Sequence, residues 1–200
     1  MDRLDSKRIC VPGLEVRVVD RCASTNALLQ DERSPGAVLL AAELQTAGRG
    51  RHGRRWRSPR GAGATFSIRR PMACAQRRLA GLSIAIGISS ARALRALGAR
   101  GVTLKWPNDL MARRRKLGGI LIETRPQGAG SVAIIGIGIN CRRQPRLGAR
   151  LGRGIATLDE LLRRPVSRSA VIGAVAREVL AALARWEEQA RETTAWERAA

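Results

Sequence analysis

The chain has 200 residues, a net charge of +21 and 44% hydrophobic residues, which fits one globular domain that buries about two thirds of its unfolded surface. Its four scattered cysteines contain no Cys-x-x-Cys pair, which argues against a zinc ribbon and a disulfide framework. The single histidine, His52, excludes a multi-histidine metal site and leaves a serine or cysteine hydrolase one candidate base. Its apolar runs are too short to span a membrane. We therefore expect a soluble, cytoplasmic protein.

The positive charge is concentrated in the middle of the chain. Between Leu44 and Leu158 there are 22 Arg and 2 Lys but only two acids, Asp109 and Glu123. This distribution is compatible with a basic nucleic-acid-binding domain, which stays open as an alternative. Aromatic residues make up only 2% of the chain, so it offers few platforms on which bases could stack. We therefore expect no specific DNA binding.

The first third of the chain predicts a strand, a short helix and another strand. Apolar and polar residues alternate over residues 15–20, as in a half-buried strand. Ser24 then supplies an N-cap for a helix that ends near Glu32. A continuous apolar run over residues 37–44 predicts a strand buried on both faces. After a loop rich in Gly and Arg, residues 65–69 predict the next strand.

The middle of the chain predicts a long helix followed by strands. Residues 75–97 have apolar side chains at helical spacing, which predicts the longest core helix, ended by Gly98. Three strands are predicted after it, over residues 102–106, 117–124 and 131–139. The last two are expected to form a hairpin, because a segment rich in Gly and Pro separates them.

The C-terminal part predicts two more helices. Thr157 and Glu160 have the spacing of a capping box at the start of a short helix. Residues 169–191 predict a final helix with one apolar stripe. The stripe consists of Val171, Val175, Val179, Leu183 and Trp186. Together the elements predict an α+β fold, a central mixed β-sheet backed by helices, in a single domain over residues 1–200.

The first functional motif is a loop from Gln45 to Trp56, which reads Gln-Thr-Ala-Gly-Arg-Gly-Arg-His-Gly-Arg-Arg-Trp. Its glycines allow the backbone to approach a ligand, and its arginines present paired donors suited to phosphate and carboxylate. Because like charges repel, we expect the loop to be mobile without ligand and to become ordered over an anion. A solvated basic turn or an Arg-Gly nucleic-acid segment is an equally good explanation of the pattern alone.

The second motif runs from Lys105 through Trp-Pro to Asn108 and Asp109, with Lys116 a few residues later. A strand that ends in Trp-Pro must turn, so we expect the Asn and Asp at a sheet edge. The aspartate either caps the turn and neutralises arginines or helps to bind Mg²⁺ beside a phosphate, and we favour the second role. Only three of the 37 basic residues are lysines. A compact ammonium suits a single anionic oxygen, although ordinary surface charge is the alternative.

The third motif combines Gly136, Gly138 and Asn140 with the Ser-Thr-Asn that starts at Ser24. Glycines inside an apolar strand predict a groove against the sheet, and the asparagine ends that strand with a hydrogen-bonding group. A bulged strand and an ordinary helix cap explain the two patterns separately. Each is therefore weak by itself.

Taken in order, these segments resemble the catalytic domain of the biotin protein ligases, the biotin–[acetyl-CoA carboxylase] ligases, over about residues 15 to 145. The motifs are Ser-Thr-Asn, Gln-x-x-Gly-Arg-Gly-Arg-x-Gly-Arg-x-Trp, Lys-Trp-Pro-Asn-Asp-Leu, Lys-Leu-x-Gly-Ile-Leu-x-Glu and Gly-x-Gly-x-Asn. The resemblance implies a fold related to class II aminoacyl-tRNA synthetases. It also implies a reaction with ATP and Mg²⁺, in which biotin becomes biotinyl-5'-AMP and then passes to a lysine of the biotin carboxyl carrier protein. A related lipoate ligase is the alternative in chemistry, but the motifs are spelled in the biotin manner.

The resemblance also implies roles for individual residues. Those expected to bind biotin are Ser24, Thr25, Asn26, Gln45, Arg49, Gly50, Arg51 and Lys116. Those expected to bind the nucleotide are Arg54, Trp56, Lys105, Asn108, Asp109 and Asn140. Within these sets, Lys116 and Arg51 are the expected catalytic residues, and Asp109 is the expected magnesium ligand.

Two features of the family are expected to be absent. Only some twenty residues precede Ser24, too few for an N-terminal winged-helix DNA-binding domain, so the resemblance predicts the monofunctional type. No strand pattern follows the final helix, so a C-terminal SH3-like domain is also expected to be absent. A truncated ligase with weakened transfer is therefore a further alternative. A homodimer is compatible with the sequence.

Overall fold

The computed structural model describes residues 2–144 and 154–199, with side chains up to Glu192. In this part of the chain, seven strands form one sheet in the order β1-β2-β3-β7-β6-β5-β4. The strands are β1 Leu14–Cys22, β2 Ala37–Gln45, β3 Gly63–Met72, β4 Thr103–Lys105, β5 Asp109–Ala112, β6 Arg115–Gln127 and β7 Gly130–Asn140. The helices are α1 Thr25–Gln30, α2 Leu82–Ala96 and α3 Arg168–Ala199. The predicted α+β fold with a mixed sheet is therefore confirmed.

The sheet is mixed because β1 and β2 run parallel, whereas every other neighbouring pair is antiparallel. Helix α1 connects the two parallel strands, as a crossover connection requires. Ser24 caps this helix as predicted, its Oγ accepting a hydrogen bond from the Ala27 backbone N–H at 3.4 Å. The helix ends at Gln30, two residues before the predicted end.

Strand β3 shows how the two faces of the sheet differ. Phe66 and Ile68 belong to the large core that also contains the apolar sides of α2 and α3. Thr65 and Ser67 alternate with them, so they point to the opposite face. That face carries α1 and a smaller apolar cluster formed by Leu29, Val38, Leu40, Val132 and Ile134. The buried valines of α3 and Leu183 confirm the predicted stripe on the final helix.

The predicted helix over residues 75–97 is wrong in its first part. Gln76–Leu79 form a 3₁₀ turn, and α2 begins at Leu82. Gly81 separates the two with a φ of +84°, a left-handed conformation that interrupts a helix. The C-terminal end is confirmed, because Gly98 adopts a φ of +100° just after α2. The longest helix is α3, with 32 residues, rather than α2, with 15.

Strand β5 was not predicted. After the turn at Trp106 and Pro107 the chain reverses, and Asp109 begins a strand that lies between β4 and β6. The expectation that this aspartate lies at the edge of the sheet is therefore wrong. The β5–β6 hairpin closes through Arg113 and Arg114, both at positive φ, where the expected glycine or asparagine is missing.

The other turns give one confirmation and one correction. The predicted β6–β7 hairpin is confirmed, with Gly128 at a φ of +56° in its two-residue turn. The predicted capping box is wrong, because residues Leu158–Glu160 form only a 3₁₀ turn without a side-chain cap. The Thr157 hydroxyl instead binds the Asp159 carboxylate, and Glu160 accepts a hydrogen bond from Arg115 at 2.6 Å.

A buried ion pair ties the start of α3 to β2. The Arg168 side chain is 1% exposed, and its Nη1 lies 2.9 Å from a carboxylate oxygen of Glu43. Asp2 accepts a hydrogen bond from the Arg168 backbone N–H at 2.7 Å. The N-terminal segment, β2 and α3 are thus joined. Among the described residues, no helix has both the length and the apolar character needed to cross a bilayer.

Candidate active site

A cavity of about 330 Å³ lies at the sheet, between the start of α1, the loop after β2 and the turn before β5. Thirteen of the fourteen predicted site residues line it. They are Ser24, Thr25, Asn26, Gln45, Arg49, Gly50, Arg51, Arg54, Trp56, Lys105, Asn108, Asp109 and Lys116. The structure therefore brings together predicted site residues that lie up to 92 positions apart in the sequence, from Ser24 to Lys116.

The floor of the cavity is a network of uncharged polar side chains. Thr25 Oγ1 lies 2.6 Å from Ser67 Oγ, and the serine donates a hydrogen bond to Asn26 Oδ1 at 2.5 Å. The backbone N–H of Thr25 donates to Gln45 Oε1 at 2.7 Å. All three residues of the network from α1 and β3 are buried. Their polar atoms are therefore held in place before any ligand binds.

The arginine-rich loop folds as a small hairpin rather than as an open turn. The Gly50 N–H donates to Arg54 O at 2.7 Å, and the Trp56 N–H donates to Gly48 O at 2.9 Å. Gly48 is required there, because a Cβ atom would lie 2.6 Å from the Trp56 carbonyl oxygen. The arginine side chains of this hairpin form one wall of the cavity. The expected ordering over an anion stays a prediction.

Glu123 connects the loop to the polar floor. One of its carboxylate oxygens accepts a hydrogen bond from Asn26 Nδ2 at 2.7 Å and another from Arg49 Nη2 at 3.0 Å. The ion pair is partly solvated, since 45% of the arginine side chain is exposed. Glu123 therefore links Arg49 of the loop to Asn26 of the polar floor.

Lys116 and Asp109 form an ion pair at the opposite side of the cavity. The lysine Nζ lies 2.5 Å from the aspartate Oδ1, and both side chains are largely buried. Asp109 is the first residue of β5, and its partner lies near the start of β6. Lys116, predicted to bind the biotin carboxylate, and Asp109, predicted to bind the metal, are thus in direct contact through an ion pair.

The turn between β4 and β5 completes the rim. Asn108 Nδ2 donates to Ile120 O at 2.9 Å, and the Asn108 carbonyl oxygen accepts from the Ile120 N–H at 3.0 Å. Its Oδ1 also accepts a hydrogen bond from Arg51 Nη1 at 3.3 Å. The preceding Trp106–Pro107 peptide bond is cis. Asn108 therefore links the loop arginine to the sheet.

The glycines of β7 make room for protein side chains. A Cβ atom at Gly138 would overlap the Trp56 indole ring, and one at Gly136 would overlap the Asn26 side-chain amide. The predicted open groove is therefore filled by two of the predicted site residues. Replacing either glycine would push a cavity residue out of place.

Asn140 is the one predicted site residue that does not line this cavity. It lies beside a second cavity of about 130 Å³, together with Arg115 and Arg142. Its Nδ2 donates to the Lys116 carbonyl oxygen at 3.3 Å. The two cavities therefore lie on either side of the backbone at Lys116.

Two residues of the site were missed. Ser67 and Glu123 both bind Asn26. The serine could have been recognised as a polar residue that alternates with Phe66 and Ile68 on a buried strand. The glutamate is one of only two acids in a segment with 24 cations, the same feature that singled out Asp109.

None of the four cysteines lines the described cavity. Burial raises the pKa of Cys141 to about 12, so its thiol stays protonated at neutral pH. Burial also raises the pKa of Cys22. The cavity therefore offers charge and hydrogen bonds rather than a thiol nucleophile. Among the residues that line it, six are cations and only Asp109 is an acid.

The domain has an α+β fold, and its cavity has an uncharged polar floor and cationic walls. These features define a domain that binds a small anionic molecule. The model of the Biotin/lipoate A/B protein ligase family matches residues 18–140. The chain belongs to this family.

Relatives with curated names are similar over most of this chain. The bifunctional ligase/repressor BirA of Escherichia coli is 38% identical over 192 residues, covering 93% of this chain and 59% of that protein. A biotin–[acetyl-CoA-carboxylase] ligase of Mycobacterium tuberculosis is 34% identical over 185 residues, covering 86% of this chain and 65% of that protein. The chain thus spans less than two thirds of the length of these relatives.

Solved structures have the same fold. A biotin protein ligase from Aquifex aeolicus in complex with biotin and ATP is similar with a TM-score of 0.72 and 28% identity, covering 87% of this chain and 72% of that one. The Leishmania major biotin protein ligase with biotinyl-5-AMP has a TM-score of 0.70 and 24% identity, covering 92% and 80%. The expected relation to class II aminoacyl-tRNA synthetases, whose fold biotin protein ligases share, agrees with this.

Proposed function

We propose that this chain is an ATP-dependent biotin–protein ligase of the cytoplasm. It adenylates biotin to biotinyl-5'-AMP and transfers the biotin to a lysine of the biotin carboxyl carrier protein of acetyl-CoA carboxylase. The observation that carries the proposal is the cavity itself, in which a buried polar floor meets six cations. The name of the Mycobacterium tuberculosis relative, a biotin–[acetyl-CoA-carboxylase] ligase, supports the choice of biotin as the substrate.

The polar floor suits the uncharged ring system of biotin. Thr25, Asn26 and Gln45 line the cavity and offer donors and acceptors without a charge. Ser67 holds the first two in place through hydrogen bonds. Such groups pair with a neutral, hydrogen-bonding head group of a ligand at little desolvation cost. A charged head group would lose more hydration free energy there, because no opposite charge faces it. Ser24 is occupied by capping α1, so its proposed contribution to the biotin site is the position of the helix start.

The cations suit the first chemical step. In adenylation a biotin carboxylate oxygen attacks the α-phosphorus of ATP, and pyrophosphate leaves. Two anions must approach each other, so fixed positive charge lowers the barrier by offsetting their repulsion. Lys116 and Arg51 both line the cavity and are the proposed catalytic residues. No general base is needed, because the carboxylate is already ionised at neutral pH.

The nucleotide is proposed to lie toward the rim. Arg54 and Lys105 supply charge for its phosphates, and Trp56 supplies an aromatic surface. Asn108 is held rigidly by Ile120 and can orient Arg51. Asn140, in the adjoining cavity, keeps its proposed nucleotide role only if the nucleotide extends past the Lys116 backbone.

Asp109 is the proposed magnesium ligand. No group of three or more His, Cys, Asp or Glu side chains among the described residues could hold a metal by itself. A single carboxylate nevertheless fits Mg²⁺, which commonly takes one or two protein carboxylates and completes its shell with substrate phosphates and water. Bound there, Mg²⁺ would neutralise phosphate charge. Asp109 would then share its oxygens between the metal and Lys116.

Folding of the loop over the adenylate is proposed to exclude water until the acceptor amine arrives. Every loop residue from Arg49 to Trp56 except Gly53 lines the cavity, and the loop already pairs with itself through backbone hydrogen bonds. The carrier protein is the proposed partner, and a homodimer stays compatible with the fold. The absence of specific DNA binding stays a prediction.

Two measurements test the proposal. Calorimetry with biotin, lipoate and a short oligonucleotide in parallel identifies the ligand class, and biotin-dependent release of pyrophosphate from ATP identifies the reaction. We expect biotin binding, and tighter retention of the adenylate than of biotin. A folded sample that does not bind biotin at millimolar concentration would contradict the proposal. Stronger binding of lipoate would favour a lipoate ligase.

A further inference from the structure

The chain carries very few amine side chains. Only three of its 37 basic residues are lysines, Lys7, Lys105 and Lys116. A guanidinium is not deprotonated in proteins, so arginine does not accept an acyl group, whereas the neutral amine of a lysine does. A reactive acyl group formed in the cavity therefore meets only three side-chain amines in the whole sequence.

The arginine-rich hairpin gives the cavity a wall that is positive but not nucleophilic. Four of the six cations that line the cavity are guanidinium groups of this hairpin, namely Arg49, Arg51, Arg54 and Arg55. The other two cations of the lining are Lys105 and Lys116. Lys7 lies in the 3₁₀ turn Ser6–Ile9 and does not line the cavity. Two amines thus stand where an activated acyl group would form.

Asp109 separates these two lysines. Lys105 is the last residue of β4 and lies directly opposite Asp109 in the antiparallel β4–β5 pair, so the two side chains project from the same face of the sheet. The aspartate Oδ1 is already bonded to Lys116 Nζ at 2.5 Å. In the described part of the chain, no ion pair or hydrogen bond holds the exposed Lys105 side chain. The aspartate therefore engages one lysine and leaves the other free.

The order of the proposed chemical steps then favours Lys105. Its ammonium is proposed to face the phosphates of ATP, and the departing pyrophosphate removes most of that negative charge. Lys116 is proposed to hold the biotin carboxylate, which becomes the activated carbonyl. Because Asp109 contacts Lys116 and is the strand partner of Lys105, a free amine lies beside the activated group. Such proximity raises the rate of an acyl transfer far above that of a collision in solution.

We propose that Lys105 is a self-biotinylation site and that the hairpin arginines keep the rest of the cationic wall inert. This inference rests on the proposed function. The neutral Nζ of Lys105 forms an amide bond with the biotinyl carbonyl carbon, the bond from that carbon to the phosphate oxygen breaks, AMP leaves, and the amine proton passes to solvent. The cavity loses one cation and gains a tethered biotin, so the protein inactivates itself when no acceptor is present.

The site is mapped on the folded protein, incubated with biotin and MgATP and no acceptor. Peptide mass spectrometry should find biotin on Lys105 at roughly tenfold or higher occupancy than on Lys7, because only the first lies beside the bound adenylate. Pyrophosphate release should slow as Lys105 becomes modified. In concentrated urea, preformed biotinyl-5'-AMP should label the two lysines equally, because unfolding removes the proximity.

Lys105→Arg keeps the positive charge and removes the amine. The variant is compared with the parent using preformed biotinyl-5'-AMP, so a defect in the use of ATP does not affect the result. We expect the folded variant to retain the adenylate and to carry no label above the level found on Lys7. A variant that loses label only because it no longer binds biotinyl-5'-AMP is separated by calorimetry, and the ratio of Lys105 to Lys7 labelling in the parent then decides.

Two further variants test the wall. Arg55→Lys places an amine on the cavity wall, and Arg57→Lys places one two residues farther along, at an exposed position that does not line the cavity. We expect biotin at position 55 of the first variant and no label above the Lys7 level at position 57 of the second. No excess of label at position 55 over position 57 would overturn the shielding by arginine.

The remaining outcomes separate the inference from the proposed function. A folded parent that binds biotinyl-5'-AMP without modification of Lys105 would overturn the site. Equal occupancy of Lys7 or of the α-amino group would do the same, since the adenylate would then react from solution. Constant pyrophosphate release at full modification of Lys105 would overturn the self-inactivation. A folded parent that does not bind biotinyl-5'-AMP contradicts the proposed function itself, and the inference fails with it.

Discussion

At the scale of single residues, the decisive contact is the ion pair between Lys116 and Asp109. The lysine Nζ lies 2.5 Å from Oδ1, so the ammonium is held in one place before a ligand arrives. The biotin carboxylate and the ATP α-phosphate must then interact with the same ammonium group that pairs with Asp109. A compact ammonium can rotate its three N–H groups toward oxygens in different directions, whereas the five N–H donors of a guanidinium are fixed in one plane.

The first prediction follows from this geometry. Lys116→Arg keeps the charge but puts a larger, planar group between Asp109 and the ligand. We expect a roughly tenfold to hundredfold slower adenylation, the equivalent of one lost charge-assisted contact of about 1.5–3 kcal/mol. The control is Arg114→Lys at the exposed hairpin tip, which should be nearly neutral. Pyrophosphate release is measured for both variants, and equal rates would show that Lys116 is only a surface charge.

Glu123 supports a second prediction at the same scale. Glu123→Gln can still accept a hydrogen bond from Asn26 but loses the charge that holds Arg49. Since the ion pair is partly exposed, we expect only a few-fold rise in the KM for biotin, about 0.5–1 kcal/mol, with a small change in kcat. Glu123→Ala should be worse, because it leaves the buried Asn26 amide with only its longer hydrogen bond to the Leu121 carbonyl oxygen, at 3.4 Å. Parent-like kinetics for Glu123→Gln would rule out a role for the charge, and equal losses in the two variants would rule out a separate role for the hydrogen bond to Asn26.

At the scale of elements, the packing of the arginine-rich hairpin on β7 can be tested through one methyl group. Gly138→Ala would place a Cβ atom against the Trp56 indole, which covers this position. We expect a loss of roughly 1–3 kcal/mol in the free energy of unfolding, as in other overpacked sites, and faster amide exchange over residues 48–56. Urea titration and hydrogen exchange measure the two effects.

The control for that change is Gly36→Ala. Its nearest neighbour would be Ser34 Oγ at 4.0 Å, so the added methyl group has space. We expect a change within about 0.5 kcal/mol, or a small gain from the less flexible unfolded chain. If Gly138→Ala is equally neutral, the indole does not need this contact to hold the hairpin.

Sequence patterns predicted the elements where one periodicity governs a whole segment. The alternation in β1 and the apolar run in β2 are examples, and both strands were found. The pattern failed at Gly81, since apolar spacing continues across a residue whose left-handed backbone stops the helix. It also failed for β5, because four residues after a Pro-containing turn are too few to show a period.

Most of the site was also predicted, because most of its residues belong to recognisable sequence motifs. Motif residues that face a ligand are readable from their order, and most of them line one cavity. Ser67 and Glu123 act through other protein residues, so they depend on strand register rather than on a motif. The occupation of the glycine positions by Trp56 and Asn26 also depends on tertiary packing.

At the scale of the whole molecule, three distant parts of the chain meet at Arg168. Its buried guanidinium binds Glu43 of β2, and Asp2 accepts from the backbone at the start of α3. The Leu4 N–H also donates to Glu43, at 2.6 Å. Removing the glutamate charge would therefore leave a buried cation with only partial compensation.

The pKa of Glu43 makes this junction sensitive to acid. Burial raises the pKa of the carboxyl group, but the hydrogen bonds from Arg168 and Leu4 outweigh it and lower the pKa below its ordinary value of 4.5. A carboxyl group with a lowered folded-state pKa stabilises the fold fully above the unfolded-state pKa, and this contribution is lost as the pH falls through the folded-state value. Acid should therefore loosen the junction only below about pH 4.5.

Glu43→Gln tests this linkage. At pH 7 we expect it to lower the free energy of unfolding by about 3 kcal/mol or more, because Arg168 loses a buried anionic partner. The difference between parent and variant should shrink as the pH falls below the ordinary carboxyl range, since the parent then loses the same charge. Glu188→Gln on the exposed side of α3 is the control and should leave the curve of stability against pH unchanged. Urea unfolding from pH 3 to pH 7 measures all three proteins, and a parent–variant difference that does not depend on pH would show that the junction is held by shape rather than by charge.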